Sequence, residues 1–452
     1  MSSLFSRILD SYTTTSQTLI ARASTKDDVP NYFASDFATL RSSAAISDFR
    51  IGTGADVFAY HADALLSTQT ELVLVTCFWA RSKSLDTLCD VLRRLSRRAI
   101  ARDSGQKIRV RICFSSLSIL QKLLHTRSIV GKSWPLSTWR SKLGLPDPQE
   151  LKGLDLKVKS IFITPFSVMH PKFMIIDRQT VLLPSCNVSW EDWLEGCAKL
   201  EGDIVKQFCR FYEAFWSDEA DYRKSSAGES RVGDIQGVLL PSSHHPNPRL
   251  SPLPFFKAPH PPSTPLNTFL LAAFDQAETS IVVTTPNLTC QTVIDALLRT
   301  VSRGVNVTIY TSRRMMLLEQ LVTAGTITEI CVWRMKQRYK RLRKARSRSP
   351  GYTDVEAQLL QPGQLQVYYL SPTGIMGEAE PSRRANKLHF KSTIVDDEIV
   401  VLGSGNMDRA SWYTSQELGV AFASRELAAQ VQHDFQSFLT GRGGARYLSQ
   451  VI

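Results

Sequence analysis

No stretch of this 452-residue chain is uninterruptedly apolar over the ~20 residues that a membrane-spanning helix needs. The apolar core of a secretory signal is also missing. The N-terminus, "MSSLFSRILDSYTTTSQTLIARAS", is broken up by Ser and Thr and carries Arg7, Arg22 and one acid, Asp10. That composition has a transit-peptide reading, which would point to the mitochondrion, and a plainer one as an ordinary N-terminal helix, which is preferred. The eight cysteines, at 77, 89, 113, 186, 197, 209, 290 and 331, include no C-x-x-C pair. Their scatter argues against a zinc site or a disulfide framework, and Cys77 and Cys113 sit in strand-like apolar runs where reduced thiols are common. The expected setting is therefore intracellular, cytoplasmic or at the periphery of a membrane.

Broad basicity is lacking as well. The net charge is +12, but residues 334–348, "RMKQRYKRLRKARSR", hold nine Lys and Arg and no acid, which leaves +3 for the rest. The run reads as a solvated surface segment, as a dock for anionic lipid through Arg334–Arg348, or as a nucleic-acid contact. The near-neutral remainder weighs against a nuclease, whose groove should be broadly basic. What the chain does have is apolar residues, 43% of the total against 21% charged, enough for a large core.

Nine of the 21 prolines fall between residues 241 and 265. Such density is incompatible with a helix or a central strand and predicts an extended linker. The linker, taken as 225–268, divides the chain into an N-terminal extension (1–44), a first lobe (45–224), a second lobe (269–440) and a tail (441–452). The two lobes share a pattern. "ELVLVTCFWA" (71–80) is a buried-strand run, followed by helical spacing of Leu85, Leu88, Leu92 and Leu95 and then by "KIRVRICFSS" (107–116). After the linker, "SIVVTTPNLT" (280–289) precedes a helical Val293, Leu297, Val301 face and "VNVTIYTS" (305–312). This predicts an α/β fold of two lobes built by internal duplication, each a mixed sheet flanked by helices. Ile309 to His389 spans 80 positions where Ile112 to His170 spans 58, which predicts a basic insertion over 334–386.

Each lobe ends in the same constellation. "HPKFMIID" places His170, Lys172 and Asp177 in an apolar run, and "HFKSTIVD" places His389, Lys391 and Asp396 at the same spacing. Residues two apart on a strand share a face, so each His and its Lys would point the same way. A neutral imidazole is a nucleophile, and an adjacent ammonium holds a non-bridging phosphate oxygen. Lysine does not ligate metals, so the pattern argues against a metal centre. A small turn follows each copy, "PSCN" with Ser185 and Asn187, and "GSGN" with Ser404 and Asn406, offering neutral donors around a phosphate. Further on, Glu201 and Glu417 are carboxylates suited to orienting a histidine ring. Glu195 is a nearer alternative, eight positions past Asn187 where Glu201 is 14, against 11 from Asn406 to Glu417. Glu201 is preferred because "LEGDIV" matches "QELGVAF" in its acid-then-apolar character.

His-x-Lys-x4-Asp, twice, each with a Gly-Ser-x-Asn-like turn, resembles the phospholipase D superfamily, and "NMDRASWYTSQE" adds to the likeness. The resemblance covers roughly residues 45–440 and includes synthases of phosphatidylserine, phosphatidylglycerophosphate and cardiolipin. It implies a two-lobed fold with the motifs meeting at the interface, no metal or other cofactor, and a covalent phosphohistidine intermediate. A glycerophospholipid substrate follows as the leading expectation, by hydrolysis or phosphatidyl transfer, with one chain sufficient for a complete site. A nuclease acting on DNA or RNA and a degenerate phosphate-binding scaffold are the rivals. By the same resemblance His170 is the nucleophile and His389 the general acid, or the reverse, with Lys172, Lys391, Asn187 and Asn406 stabilising charge. Asp177 and Asp396, absent from the tyrosyl-DNA phosphodiesterase branch, read as structural anchors. Pro184 stands where the family usually has Gly. Trp190, Trp193 and Leu194 read as core or as an acyl-binding mouth. "RRMMLLEQLVTAG" (313–325) is predicted to be an amphipathic helix packed on the core.

Overall fold

The computed structural model describes residues 3–20, 30–33, 37–102, 105–117, 130–163, 168–217, 233–245, 260–346, 361–370, 385–440, 448–450 and 452. The first half contains β1 (Arg41–Gly52), β2 (Glu71–Phe78), β3 (Ile108–Ser116), the two-residue β4 (Lys132–Ser133), β5 (Leu154–Ser160), β6 (Phe173–Ile176), β7 (Thr180–Pro184) and β8 (Trp193–Glu201). In this sheet β2 has β3 parallel on one side and β6 antiparallel on the other, with β5 beyond β3, and β7 then β8 beyond β6. Residues 71–77 of β2 are all buried, as expected of a strand covered on both faces. The helix Lys83–Ala101 covers one face with Leu85, Leu88, Leu92 and Leu95, and its N-terminus is capped by the Ser82 hydroxyl accepting from the Leu85 N–H.

After β9 (Ile235–Ser242) the second half repeats this order with β10 (Ser280–Thr284), β11 (Asn306–Ser312), β12 (Leu365–Leu370), β13 (Lys387–Leu388), β14 (Ser392–Val395), β15 (Ile399–Gly403), β16 (Glu417–Ala423) and β17 (Leu448–Gln450). Here β10 lies between parallel β11 and antiparallel β14, with β12 beyond β11, and β15 then β16 beyond β14. The strand directions match those of the first half one for one. The α/β expectation therefore holds, with mixed sheets flanked by helices.

The halves are stitched together by β1 and β9. Residues Arg41–Ala44 of β1 pair with β9, and Ala45–Gly52 pair with β8, with a bulge between Ile46 and Asp48. β9 in turn pairs with β16 from Gln236 to Ser242. This corrects the linker: residues 235–242 form a strand that includes Pro241, and a helix, Pro265–Gln276, begins at its far end. Proline is tolerated at 241 because β1 accompanies β9 only as far as Val238, leaving that edge without a partner strand among the described residues. Pro265 occupies the first turn of its helix, where no N–H is needed. Residues 246–259 of the predicted linker lie outside the described residues.

The N-terminal extension is likewise part of the fold. Its helix, Leu4–Ile20, buries Leu4, Phe5, Ile8, Leu9 and Tyr12 in the second half's core, with Tyr12 edge-on to Phe269 at 5.9 Å. The predicted insertion 334–386 is also shorter than expected, because β12 within it is a full member of the sheet. Its basic part continues the helix Thr328–Arg346, and residues 347–360 and 371–384 lie outside the described residues. The helix at 317–324 corrects a further expectation, since only Gln320 on it is buried.

A core shared by both halves underlies the site. Phe49, Phe173, Phe208 and Phe211 of the first half join Phe390, Ile394, Leu418 and Phe435 of the second. Contact is close enough to require Gly196, where a Cβ would stand 2.5 Å from the Phe390 ring. All eight cysteines are buried and unbonded to one another.

Candidate active site

The backbone leading into each motif is docked on the other half. The His170 N–H donates to the carbonyl of Gln416 (2.9 Å), the residue before Glu417. The His389 N–H donates to the carbonyl of Leu194 (2.9 Å), the residue before Glu195. Each histidine thus meets the carboxylate of the opposite half: His170 Nδ1 lies 2.8 Å from Glu417 Oε2, and His389 Nδ1 2.6 Å from Glu195 Oε1. A carboxylate on Nδ1 fixes the proton there and leaves the Nε2 lone pair for chemistry.

Glu195, not Glu201, is therefore the orienting acid of the first half. Glu201 lies six residues further along β8, roughly 20 Å away at ~3.3 Å per residue, and pairs with Lys199 at 3.5 Å. The spacing that disfavoured Glu195 has a local cause. A short helix, Arg409–Tyr413, capped by Asp408, is inserted between Asn406 and Glu417, and its Ser411 hydroxyl donates to Glu417 Oε1 (2.6 Å).

The turn serines face the glutamates rather than a phosphate. Ser185 Oγ donates to Glu195 Oε2 and Ser404 Oγ to Glu417 Oε2, both at 2.5 Å. Each hydroxyl also accepts from the next strand, from Gly196 N at 2.9 Å and from Leu418 N at 3.0 Å. Pro184 leaves this arrangement intact.

Lys172 and Lys391 are buried, and each ammonium donates to the carbonyl of its own histidine, at 2.8 and 2.6 Å. Burial pushes the His389 imidazole down to about 3, against the pull of Glu195, and lowers His170 as well, against Glu417. Both rings are also depressed by the two lysines. Burial brings Lys391 down to about 7, with Glu195 opposing and Lys172 assisting. On Glu195 and Glu417 burial acts upward, yet the facing histidines, lysines and serines hold both carboxyls below the ordinary range. These shifts favour neutral imidazoles over ionised carboxylates.

Both histidines line one cleft of about 260 Å³, together with Asn187, Asn406, Phe78, Glu191, Trp193, Met316 and Glu319. The asparagines are not equivalent. Asn187 Oδ1 accepts from the Phe78 N–H (3.2 Å), which leaves its amide N–H groups to donate. Asn406 donates its amide to Asp408 (3.0 Å), and its buried Oδ1 has no partner among the described residues. The second half therefore offers an unengaged acceptor as well as the expected amide donor. Trp193 packs on His389 with ring centroids 4.7 Å apart, whereas Leu194 is core and Trp190 is 66% exposed.

Asp177 and Asp396 stand at the far ends of β6 and β14, in tight turns where each, with the residue after it, has positive φ. Asp177 accepts from the N–H groups of Gln69, Thr70 and Glu71, and Asp396 from those of Glu278, Thr279 and Ser280, at 2.7–2.9 Å. They tie each hairpin to the start of β2 or β10 and stand apart from the cleft. Sequence reasoning missed Ser411, Asp408, Met316 and Glu319; only the carboxylate spacing carried a signal for any of them.

Residues 270–439 match the family model described as "Cardiolipin synthase, PLD-like domain". The fold over most of the chain is that of phosphatidylserine synthase from Haemophilus influenzae Rd KW20, with a TM-score of 0.53 at 14% identity over 91% of this chain and 89% of that one. Weaker likenesses are to polyphosphate kinase from Porphyromonas gingivalis (TM-score 0.47, 12% identity, 87% and 47% covered) and to NucT from Helicobacter pylori (0.27, 16%, 47% and 99%). No curated protein is significantly similar in sequence. Residues 270–439 thus resemble a PLD-like domain, and the fold over 91% of the chain resembles that of the phosphatidylserine synthase.

Proposed function

We propose that this protein transfers or hydrolyses the phosphatidyl group of a glycerophospholipid through a covalent phosphohistidine. The observation that carries this reading is the pair of imidazoles in one cleft, each held through Nδ1 by a carboxylate of the opposite half. His170, the more accessible ring at 12% against 3%, attacks phosphorus through Nε2. The P–O bond to the headgroup alcohol breaks as His389 gives that oxygen a proton. His389, which burial keeps neutral, acquires that proton once an anionic phosphate is bound beside it. In the second half-reaction His389 takes the proton of water or an acceptor alcohol, whose oxygen attacks phosphorus and breaks the P–N bond. Lys172, Lys391 and the Asn187 amide stabilise the charge on the equatorial oxygens.

A lipid substrate is supported by the cardiolipin synthase description of the matching domain, the phosphatidylserine synthase fold and the confinement of basicity to one helix. The test is incubation, with EDTA present, with labelled phosphatidylcholine, phosphatidylglycerol, cardiolipin and single-stranded DNA, with and without glycerol. Phosphatidic acid or a glycerol-transfer product is expected, with label trapped on His170 after acid-free quenching and lost in His170→Ala. Cleavage of DNA alone would sink the lipid reading, label retained on His389 would exchange the histidine roles, and binding without turnover would leave a scaffold.

A further inference from the structure

The helix Leu317–Ala324 is inside out. Its one polar residue without charge or β-branching, Gln320, is 3% exposed, whereas Leu318 is 76%, Leu321 49% and Val322 38% exposed. The buried amide explains how this is held. Gln320 Nε2 donates to Asn287 Oδ1 (3.1 Å) and to the Met315 carbonyl, and its Oε1 accepts from the Thr328 N–H (2.8 Å) and hydroxyl (2.9 Å). Arg314 and Met316 in the left-handed region turn the chain so that Met315 is buried while Met316 and Leu317 face out. Hydrogen bonds anchor this helix, and its apolar side is left to water, the reverse of a helix packed on a core.

Its position ties it to the site. Met316 and Glu319, at the start of the helix, line the catalytic cleft. Glu191 and Trp193, which follow the exposed Trp190 in sequence, line the same cleft. The following helix, Thr328–Arg346, begins its exposed face with Ile330 and Trp333 and continues it, at helical spacing, with Arg334, Lys340 and Arg341. An exposed apolar helix face that starts at the cleft, exposed tryptophans and an exposed basic face on the next helix match a bilayer interface carrying negative charge.

We infer that Leu318, Leu321 and Val322, with Ile330 and Trp333, insert at the surface of an anionic phospholipid bilayer while Arg334, Lys340 and Arg341 meet its headgroups. The cleft mouth is thereby held at headgroup level, where a lipid phosphodiester enters without leaving the membrane. This rests on the phospholipid reading above for its purpose, but not for its test.

The experiment is flotation of the full chain with vesicles of phosphatidylcholine alone or mixed with phosphatidylglycerol, for the wild type, Leu318→Glu/Leu321→Glu and Arg334→Ala/Lys340→Ala/Arg341→Ala. All substitutions are on exposed positions, and matching circular dichroism and melting curves establish that each variant folds. Wild type is expected to float with the anionic vesicles; the leucine variant loses about tenfold or more in binding, and the basic variant about 100-fold. Turnover of bilayer lipid falls in parallel, while turnover of a dihexanoyl phospholipid below its micelle-forming concentration stays at the wild-type rate. No flotation of the wild type, or flotation of the leucine variant at the wild-type level, overturns the inference. So does a wild-type dimer that the leucine substitutions split, or a basic variant that loses DNA binding and keeps vesicle binding. Flotation that obeys the pattern with no phospholipid turned over refutes the proposed reaction and upholds the docking surface.

Discussion

His389 belongs to the second half of the chain and Glu195 to the first, yet His389 Nδ1 stands 2.6 Å from Glu195 Oε1. The bond follows from the docking of β13 alongside β8, which sets the His389 N–H on the carbonyl of Leu194. His170 and Glu417 make the reciprocal pair through the bridge of Met169 to Gln416. Neither half then holds a complete His–Glu unit. Glu195→Gln and Glu417→Gln are each expected to lower kcat about 10²- to 10⁴-fold, because an amide neither fixes the tautomer nor stabilises an imidazolium. Glu201→Gln should leave kcat at the wild-type level. Steady-state rates on one substrate decide it, and a large loss in the Glu201 variant would contradict the assignment.

Lys391 adds a limb on the alkaline side of the pH profile. Burial lowers its ammonium to about 7, so the charge is present below that pH and lost above it. In the proposed reaction that charge stabilises phosphate oxygens in the transition state, so the fall of kcat/KM with rising pH, which loss of the His389 proton already imposes, should steepen by a further factor of about ten per pH unit above that value. A bound phosphate anion favours the ammonium, which places the same limb of kcat at higher pH. Lys391→Arg, whose guanidinium does not titrate in this range, should move the limb upward at reduced rate. A kcat/KM profile that does not steepen through about pH 9 in the wild type would remove Lys391 from the chemistry.

The members of the candidate site are legible because His170, Lys172, His389 and Lys391 recur at one spacing inside β-strand patterns, and strand geometry alone puts each pair on a face. The orienting acid of the first half was not legible. Counting from Asn187 assumed equal loops, whereas the helix Arg409–Tyr413 lengthens only the second. β9 escaped notice because proline density obscures a strand whose far edge needs no donor. The helix Leu317–Ala324 was misread because periodicity reveals that a face is apolar but not which face is bonded to the protein. Gln320, a single amide, reversed it.

Asp177 and Asp396 should prove structural. Each carboxylate gathers three backbone N–H groups at 2.7–2.9 Å, and alanine would leave those donors without it while keeping a side chain at positive φ. Asp177→Ala and Asp396→Ala are each expected to cost about 2–4 kcal/mol of stability, read as a lower urea midpoint. Residual folded protein at low temperature should keep near-normal kcat. A collapse of kcat with the midpoint unchanged would return these residues to the reacting cluster.

Pro184 and Gly403 occupy matching places before Ser185 and Ser404 but answer different backbones. Gly403 has φ +151°, and a Cβ there would stand 2.3 Å from the Leu418 carbonyl oxygen and 2.7 Å from the Gly419 Cα. Any side chain must therefore push β15 off β16 at the point where Ser404 holds Glu417. At Pro184 the strand continues into the turn, paired with Cys197, and its serine makes the same two bonds without help from glycine. Gly403→Ala should thus lower both stability and kcat, by loosening the Glu417 carboxylate from His170. Pro184→Gly should cost only about 1 kcal/mol, through greater freedom of the unfolded chain, with kcat retained. Urea denaturation alongside single-turnover rates separates the two, and equal losses in both variants would show that the turns depend on their first residue alike.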